Sequence, residues 1–458
     1  MQYDVTVIGG GPGGYVAAIK AAQYGKRVCL IEREYLGGVC LNVGCIPTKT
    51  LLQTVEVLHT AQKAAQFAVT GIDPACLGVD LKRLQARKEQ VVGQLTGGVG
   101  ALLKKNKVTV RRGTVVFADK NTVTVDGAAV TSDCFILATG SRPFTPASIA
   151  VAPDAEVLTS TQALCLTQVP ARLGVVGGGV VGIEFAYLYR ALGAEVHVFE
   201  AMEQILPMID GTIAALARRE MERQGIVFHT GVKVTGVTRD GISYQEAGAE
   251  RRYAAGSVLM AVGRAPNTGG LGLEKLGVRL ERGAVVTDEF LRTNVPNLYA
   301  IGDVNAHLML AHTASREAQT AVDHICTGKA EPVRYDAIPS CVYIHPELAA
   351  VGLTEQQARE RGLDVAVGSF PLSANGKALV EGETTGLIKI IADRRTGELY
   401  GAHIMGPRAT DLIGELAAAL YLEATAESMT CMVHPHPTLS EIIPEAALSA
   451  LGKGLHSA

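Results

Sequence analysis

Cys40 and Cys45 are the residues whose type and spacing are most suited to chemistry in this chain. They lie five positions apart in residues 37–49, GGVCLNVGCIPTK, before a helix-like segment that begins at Thr50. Two thiols at this spacing on a glycine-rich turn can close a small disulfide ring. A ring of about half a dozen residues removes only about 2 kcal/mol of unfolded-chain entropy, so it stabilises the fold weakly. The spacing therefore favours a disulfide that opens and closes.

The alternatives to a redox pair are two free thiols or half of a metal site. The other seven cysteines include no partner pair with the spacing of a zinc site, so no metal is predicted. Nine scattered cysteines, an odd number, also differ from the disulfide framework of a secreted protein. In a reducing compartment a disulfide is usually catalytic, which agrees with a redox pair.

Composition and the start of the chain narrow the classes of function. The net charge is −3, so there is no basic excess for binding nucleic acid. The opening residues, MQYDVTVIGGG, lack the basic segment and the cleavage pattern of a signal peptide, and no apolar stretch reaches the length of a membrane span. A chain of 458 residues is long enough for about three domains. We expect a soluble, cytoplasmic protein that binds neither nucleic acid nor membranes.

A nucleotide-binding pattern opens the chain. Gly9, Gly11 and Gly14 form GxGxxG between a β-branched strand and an alanine-rich helical segment, and the next strand ends at Glu32. The glycines allow a tight turn and let a pyrophosphate approach backbone N–H groups at the helix start. The acidic residue, about twenty positions on, can accept a hydrogen bond from a ribose hydroxyl. The alternative is a glycine-rich turn without a ligand, and the strand–helix–strand context makes it the weaker one.

The same pattern recurs in the middle of the chain. Gly177, Gly179 and Gly182 follow another strand, and the strand after that ends at Glu200. Two dinucleotide units imply two nucleotides. With a redox pair in the first unit, the economical assignment is FAD there and a nicotinamide nucleotide at the second. A carboxylate at Glu200 accepts from a free 2′-hydroxyl and repels a 2′-phosphate, so NAD is favoured over NADP. An exposed glutamate at a strand end is the alternative.

Three further segments are typical of strand-to-loop junctions in flavoproteins. One buried strand leads to Thr139 and Gly140, a second reaches Gly263, and a third ends at Gly302 and Asp303. The carboxylate of Asp303 could hold the ribityl hydroxyls of FAD. Each segment alone is an ordinary turn. The flavoprotein interpretation therefore depends on the order of the three segments and on the other motifs in the chain.

The C-terminal part changes character from about residue 339. Alternation of apolar and polar residues predicts an antiparallel sheet over residues 340–343, 386–391 and 399–404. Helical spacing predicts helices over residues 354–361 and 409–423.

The loop HPHPTLSE follows and presents His436. Two prolines prevent a helix from running through this loop, so the imidazole can face a substrate. Glu441, five residues on and at the expected start of a helix, can fix the tautomer of the ring. A surface loop with solvent-facing histidines is the alternative.

In this order the motifs resemble the disulfide-containing flavoprotein reductases, the class I pyridine nucleotide-disulfide oxidoreductases, and within them the dihydrolipoamide dehydrogenases. GGVCLNVGCIPTK resembles their redox-active signature, AIGD their flavin-ribityl motif and HPHPTLSE their His–Glu signature. The resemblance covers essentially the whole chain. It implies an α/β fold with two Rossmann-like dinucleotide-binding domains and a C-terminal α+β interface domain. The implied FAD-binding domain is residues 1–145, and the implied NAD-binding domain is residues 146–268. Residues 269–338 would be a central segment that returns to the FAD domain, and residues 339–458 would be the interface (dimerisation) domain.

The resemblance also implies roles for the candidate residues. Cys40 would be the thiol that exchanges with the substrate, and Cys45 would be the thiolate in charge-transfer contact with the flavin. His436, oriented by Glu441, would be the acid/base and would come from the partner subunit of a homodimer.

Lys49 and Glu184 match the residues that pair beside the flavin in this family, Lys49 within the FAD site and Glu184 within the NAD site. Two ordinary helix-surface charges are the alternative. The implied activity is oxidation of protein-bound dihydrolipoamide to lipoamide with NAD⁺ as acceptor. The implied partners are the lipoyl domains or the acyltransferase core of a 2-oxoacid dehydrogenase or related complex.

Other functions remain as rivals. A glutathione-type reductase would be expected to carry arginines after the second acidic strand end, where this chain has Glu200 and no arginine close behind it. Mercuric reductase would be expected to carry a C-terminal cysteine pair, which the end of this sequence, GKGLHSA, does not contain. A soluble transhydrogenase would lack the second thiol, whereas this chain has Cys45. A docking component of a multienzyme complex or a flavin-containing sensor is the alternative from another class. The intact thiol pair and the His–Glu loop favour the enzyme.

Overall fold

Three large β-sheets with flanking helices make up the fold, and the computed structural model describes residues 2–456. The helices in chain order are α1 (Pro12–Gln23), α2 (Gly38–Val43), α3 (Cys45–Gln62), α4 (Leu81–Lys105), α5 (Ser160–Ala163), α6 (Val180–Ala191), α7 (Gly211–Arg223), α8 (Ala311–Thr327), α9 (Glu355–Glu360), α10 (Gly376–Glu381), α11 (Ala409–Tyr421), α12 (Ala426–Cys431) and α13 (Ile442–Ala450). Short 3₁₀ turns include Gly302–Val304, Tyr335–Ala337 and Leu439–Glu441.

The strands in chain order are β1 (Gln2–Ile8), β2 (Val28–Glu32), β3 (Thr109–Arg112), β4 (Val115–Asp119), β5 (Thr122–Val125), β6 (Ala128–Leu137), β7 (Ser141–Pro143), β8 (Ala150–Val151), β9 (Val157–Leu158), β10 (Arg172–Val176), β11 (Glu195–Phe199), β12 (Ile226–His229), β13 (Lys233–Thr238), β14 (Gly241–Glu246), β15 (Ala249–Tyr253), β16 (Ser257–Met260), β17 (Arg264–Pro266), β18 (Leu280–Glu281), β19 (Ala284–Val285), β20 (Leu298–Ala300), β21 (Ser340–Val342), β22 (Glu347–Gly352), β23 (Val365–Pro371), β24 (Leu387–Asp393) and β25 (Leu399–Gly406).

The first sheet has the order β3-β2-β1-β6-β5-β4, with β20 also paired to β6. Strands β3, β2, β1, β6 and β20 are parallel, and β5 and β4 extend the sheet antiparallel. Most of β1 is buried, because a parallel strand with helices on both faces needs a nearly continuous apolar run. The carboxyl ends of β1 and β2 lie at one edge, which brings the first glycine loop (residues 9–14) next to Glu32.

The second sheet repeats this plan with the order β12-β11-β10-β16-β9, all parallel. A smaller sheet, β15-β14-β13-β8, packs against it through a separate apolar cluster. The carboxyl ends of β10 and β11 bring the second glycine loop (residues 177–182) next to Glu200. Strands β7 and β17 pair antiparallel where the chain passes between the two sheets.

The third sheet is antiparallel, with the order β21-β22-β25-β24-β23, and α11 and α13 pack on it. The predicted strands over residues 340–343, 386–391 and 399–404 and the predicted helices correspond to β21, β24, β25, α9 and α11. Strands β22 and β23 lacked a prediction, because the alanines of β22 and the glycine within β23 have little strand propensity. The α/β fold with two Rossmann-like sheets and a C-terminal α+β unit is confirmed.

Two helices begin earlier than their sequence patterns indicated. Helix α1 begins at Pro12, a residue suited to the first helical position because its missing N–H would be unpaired there anyway. Helix α3 begins at Cys45 rather than Thr50, and Pro47 is tolerated within its first turn for the same reason.

Residues 2–456 contain neither a membrane-spanning helix nor a metal-binding cluster. None of the helices described there has the length and apolar character to cross a membrane. No group of three or more His, Cys, Asp and Glu side chains in this part of the chain is arranged to hold a metal ion.

Candidate active site

Cys40 and Cys45 lie on consecutive helices separated by one glycine. Cys40 is within α2, and Cys45 is the first residue of α3. Both are free thiols, Cys40 half-buried and Cys45 exposed, and they are close enough to form a side-chain hydrogen bond. The break in the helix at Gly44 therefore brings the two predicted redox thiols together.

The pKa values of the two thiols are shifted in opposite directions. The hydrogen bond from Cys40 lowers the pKa of Cys45 to about 7, helped by the ammonium of Lys49. Partial desolvation of the sulfur by the surrounding protein and the carboxylate of Glu184 oppose this shift, although the residue as a whole is exposed. The same hydrogen bond, together with burial, raises the pKa of Cys40. The N-terminal position of Cys45 in α3 also suits a thiolate, because the positive end of the helix dipole lies there. The pair is therefore suited to hold one thiol and one thiolate near neutral pH.

Lys49 and Glu184 form an ion pair in which the ammonium contacts both carboxylate oxygens, at 2.8 and 2.7 Å. The side chain of Glu184 is only 4% exposed and also accepts a hydrogen bond from the backbone N–H of Tyr343 at 3.0 Å. The Lys49 Nζ atom lies 4.5 Å from the centroid of the Tyr343 ring. Glu184 is thus buried within α6 and not a surface charge. Tyr343 was not predicted as a site residue, since an aromatic residue at a strand end carries no distinct signal.

The first glycine loop has the shape of a phosphate-binding turn. A Cβ atom at Gly9 would lie 2.2 Å from the carbonyl oxygen of Ala138, and one at Gly14 would lie 1.9 Å from the carbonyl oxygen of Gly9. The backbone can close only with glycine at both positions. A Cβ atom at Gly11 would meet only the Cα of Gly38, at 3.8 Å, so open space remains at the N-cap of α1. This space fits the pyrophosphate of FAD at a helix N-terminus.

The second glycine loop repeats this geometry. A Cβ atom at Gly177 would lie 2.4 Å from the carbonyl oxygen of Ala261, and one at Gly182 would lie 2.0 Å from that of Gly177. A Cβ atom at Gly179, the N-cap of α6, would meet nothing within 4 Å. The loop therefore fits a second dinucleotide.

The carboxylates of Glu32 and Glu200 occupy equivalent positions in the two units. Glu32 accepts hydrogen bonds from the N–H of Gly10 at 2.6 Å and from the N–H two residues after itself at 2.7 Å. Glu200 accepts from the N–H of Gly178 at 2.6 Å and from the N–H two residues after itself at 2.8 Å. Each carboxylate thus fixes its glycine loop and lies at the strand end where the ribose of a dinucleotide would bind.

Thr139, Gly140 and Gly263 lie where the chain passes between the first two sheets. The Thr139 hydroxyl donates to the carbonyl of Asn267 at 2.8 Å, and the Asn267 N–H donates to the carbonyl of Gly140 at 2.9 Å. The carbonyl of Gly263 accepts from the N–H of Phe144 at 3.2 Å. These bonds continue the pairing of β7 with β17, so the three residues line the junction of the two nucleotide units.

Asp303 is part of a polar cluster with two residues that the sequence analysis did not single out. Its carboxylate accepts from the Ser141 hydroxyl, which in turn accepts from the Nε–H of Arg264 at 2.6 Å. Arg264 lies 3.8 Å from the carboxylate. Burial lowers the pKa of Arg264, while Asp303 and Cys45 act in the opposite sense. The cluster therefore connects the Gly302 turn (Gly302–Val304) electrostatically to the thiol pair.

His436 and Glu441 form the predicted pair. The Nδ1 atom of His436 lies 2.8 Å from one carboxylate oxygen of Glu441, and the other oxygen accepts from the N–H of Thr438 at 2.8 Å. These bonds lower the pKa of Glu441, the bond from Thr438 most. The His436 side chain is 79% exposed, and within residues 2–456 no hydrogen bond joins it to Cys40 or Cys45. One chain therefore orients the imidazole without bringing it to the thiols.

Comparisons with known proteins agree with this architecture. Residues 3–318 match the family model described as pyridine nucleotide-disulphide oxidoreductase. Residues 338–447 match the dimerisation domain of the same description, so the chain carries a dimerisation domain.

The most similar curated relatives include dihydrolipoyl dehydrogenases. One from Bacillus subtilis (strain 168) is 43% identical over 466 residues, covering 100% of this chain and 98% of the relative. One from Thermus scotoductus is 43% identical over 462 residues, covering 99% and 98%. Among solved structures, the HOCl-induced flavoprotein disulfide reductase RclA from Escherichia coli superposes with a TM-score of 0.86 at 28% identity, covering 97% of this chain and 99% of that one.

Proposed function

Because this chain belongs to the pyridine nucleotide-disulphide oxidoreductase family, we propose that it oxidises protein-bound dihydrolipoamide to lipoamide with NAD⁺ as the acceptor. The chain is a flavoprotein disulfide oxidoreductase. The observation that carries the proposal is that the break at Gly44 brings Cys40 and Cys45 together, with Lys49 and its ion partner Glu184 one helical turn beyond Cys45. The names of the full-length relatives support the dihydrolipoyl substrate.

The cofactors are FAD and NAD. We assign FAD to the first glycine loop, with Glu32 at its ribose and Asp303 at its ribityl chain. NAD is assigned to the second glycine loop, where Glu200 favours a nucleotide without a 2′-phosphate. When bound, FAD supplies the two-electron transfer that links a dithiol to NAD⁺.

The thiol chemistry begins from a Cys40–Cys45 disulfide in the oxidised enzyme. A substrate thiolate attacks the Sγ of Cys40, the bond to Cys45 breaks, and Cys45 leaves as a thiolate. The second substrate thiol then attacks the substrate sulfur of the mixed disulfide, which closes lipoamide and releases Cys40. The substrate dithiol loses two electrons and the cysteine pair gains them. A low pKa at Cys45 favours this step, because a more acidic thiol is a better leaving group.

His436 is the proposed base for this exchange. Its Nδ1 atom is engaged by Glu441, so Nε2 is the atom that would take a proton from the substrate dithiol. The other substrate proton ends on Cys40. The exposure of His436 and the dimerisation domain support a homodimer in which each subunit lends this imidazole to the thiol pair of its partner.

The domain boundaries and the partners belong to the same proposal. Residues 1–145 and 269–338 would form the FAD-binding domain, and the pairing of β20 with β6 in the first sheet supports this return of the chain. Residues 146–268 would bind NAD, and residues 339–458 would form the subunit interface. Lipoyl domains of a 2-oxoacid dehydrogenase or related complex would deliver the substrate in the cytoplasm.

The test is NAD⁺ reduction by dihydrolipoamide with the purified FAD-bound protein. Parallel reactions use NADP⁺ as acceptor, and glutathione disulfide with NADH in the reverse direction. We expect rapid turnover with NAD⁺ and dihydrolipoamide, and little with the other pairs. A flavoprotein that ignores dihydrolipoamide and reduces glutathione disulfide would contradict the substrate assignment.

A matched pair of cysteine variants tests the role of the thiols. Cys45→Ser should abolish dithiol turnover, because serine cannot form the disulfide. Cys76→Ser changes another exposed free thiol and should leave turnover unchanged. Full lipoamide activity in Cys45→Ser would contradict the mechanism.

A further inference from the structure

We propose that Glu317 is a positioning residue that fixes the Gly302 turn for the ribityl part of FAD. The proposal rests on the proposed function only in taking FAD as the ligand of that turn. Glu317 lies on α8, is fully buried, and takes no part in the thiol chemistry described above.

The carboxylate of Glu317 accepts hydrogen bonds from three donors. One oxygen accepts from the backbone N–H of Gly302 at 2.5 Å and from the amide of Asn305 at 3.0 Å. The other accepts from the hydroxyl of Tyr335 at 2.7 Å. Two of these donors lie in or directly after the turn that carries Asp303. The carboxylate therefore fixes the backbone of the turn at Gly302 and the amide of Asn305, while the Ser141 hydroxyl binds the Asp303 side chain.

Packing places the same helix against the phosphate-binding turn. A Cβ atom at Gly302, where φ is +71°, would lie 3.0 Å from the Cβ of Ala314 on α8. A Cβ atom at Gly13 would lie 3.1 Å from the carbonyl oxygen of Ala314. The start of α8 is thus wedged between the first glycine loop and the Gly302 turn. A shift of the turn on α8 would change the distance between the two FAD contacts.

Burying a carboxylate in this space costs free energy, because the charged group loses its contact with water. Burial raises the pKa of Glu317 to about 7, against the opposing effect of its three hydrogen-bond donors. An apolar side chain would fill the volume without this desolvation cost, but it would leave the Gly302 N–H and the Asn305 amide unpaired. The geometry therefore indicates that the acceptor oxygens are the required feature.

The test compares Glu317→Leu, which keeps approximate volume, with Glu317→Gln, which keeps an acceptor oxygen. FAD affinity is measured by flavin fluorescence during dissociation from, and rebinding to, the full-length protein, without any dithiol substrate. We expect the dissociation constant to rise at least tenfold in Glu317→Leu and to stay within about threefold of wild type in Glu317→Gln. Glu331→Gln, a change at an exposed carboxylate near Arg316, is the control and should leave the affinity unchanged.

Wild-type FAD affinity in a folded Glu317→Leu protein would overturn the proposal, and so would an equal loss in Glu317→Leu and Glu317→Gln. If Glu317→Leu does not fold, Tyr335→Phe replaces it, since it removes one donor and keeps the ring. A rise of more than threefold in its dissociation constant supports the proposal, and a value within threefold of wild type overturns it. A wild-type protein that binds FAD but does not oxidise dihydrolipoamide would contradict the proposed function and leave this inference standing.

Discussion

Lys49 and Glu184 are 135 residues apart in sequence, yet the ammonium of Lys49 is held between both carboxylate oxygens of Glu184. Lys49 lies one helical turn after Cys45 in α3, so its charge is fixed on the same side of the helix as the thiol. Glu184 is buried, and Tyr343 contacts both members of the pair. The charge near the thiol pair is therefore set by three separate parts of the fold.

We predict that Lys49→Met makes the Cys45 thiol less acidic. Loss of a cation near a thiolate raises the thiol pKa above its present value of about 7, so less thiolate is present at neutral pH. Alkylation of Cys45 by iodoacetamide at pH 7 should slow about threefold to tenfold, as followed by mass spectrometry of the Cys45 peptide in the reduced protein. Lys82→Met, at an exposed position on α4, is the control. Equal alkylation rates in wild type and Lys49→Met would contradict the electrostatic role.

We predict that the hydrogen-bonding group of Cys40, and not the volume of its side chain, lowers the pKa of Cys45. Its hydrogen bond is the largest cause of the lowered pKa of Cys45, so Cys40→Ala should raise that pKa, while Cys40→Ser keeps a donor and should raise it less. The pH profile of Cys45 alkylation measures both. The wild-type midpoint is expected near pH 7, the serine variant above it, and the alanine variant highest. Coincident profiles for alanine and serine would show that the hydrogen bond is unimportant.

His436→Ala should separate the two half-reactions. Loss of a general base typically costs about 10²–10⁴-fold, so the dithiol half-reaction should slow by that factor. NADH oxidation by an artificial dye, which needs no proton transfer at the thiols, should be unchanged. His456→Ala is a close control, because this exposed imidazole also contacts a carboxylate, that of Glu445 at 2.7 Å. An equal loss in both assays would point to a structural defect instead.

The second glycine loop offers a test of binding apart from folding. Gly179→Ala places a Cβ in open space, so the protein should fold and keep FAD while its KM for NAD⁺ rises at least tenfold. Gly182→Ala places a Cβ 2.0 Å from a backbone oxygen, so it should lower the thermal stability of the protein as well. Circular dichroism, flavin content and steady-state kinetics distinguish the two. An unchanged KM in Gly179→Ala would argue against a nucleotide phosphate at this position.

Local motifs were predictable because their residues are close in sequence. The GxGxxG turns, their carboxylates at the next strand end, the thiol pair and the His436–Glu441 pair each lie within about 25 residues. In each case the backbone geometry of one strand, turn or helix brings the side chains together. The predicted C-terminal strands were found for the same reason, since their alternation is local. Strands β22 and β23 were not predicted, because pairing with neighbouring strands compensates for residues of weak strand propensity, and that pairing is not visible in the local pattern.

The reactive and binding groups of this protein can be identified from its residues alone: two thiols, two glycine loops typical of dinucleotide binding, and an imidazole with its carboxylate. Their surroundings depend on how the chain folds. The tertiary structure places Tyr343 on Lys49, Arg264 and Ser141 beside Asp303, and Glu317 beneath the Gly302 turn. These contacts join residues from different elements of the fold, and their partners are chosen by packing and by the need to pair buried charges, which no local pattern encodes.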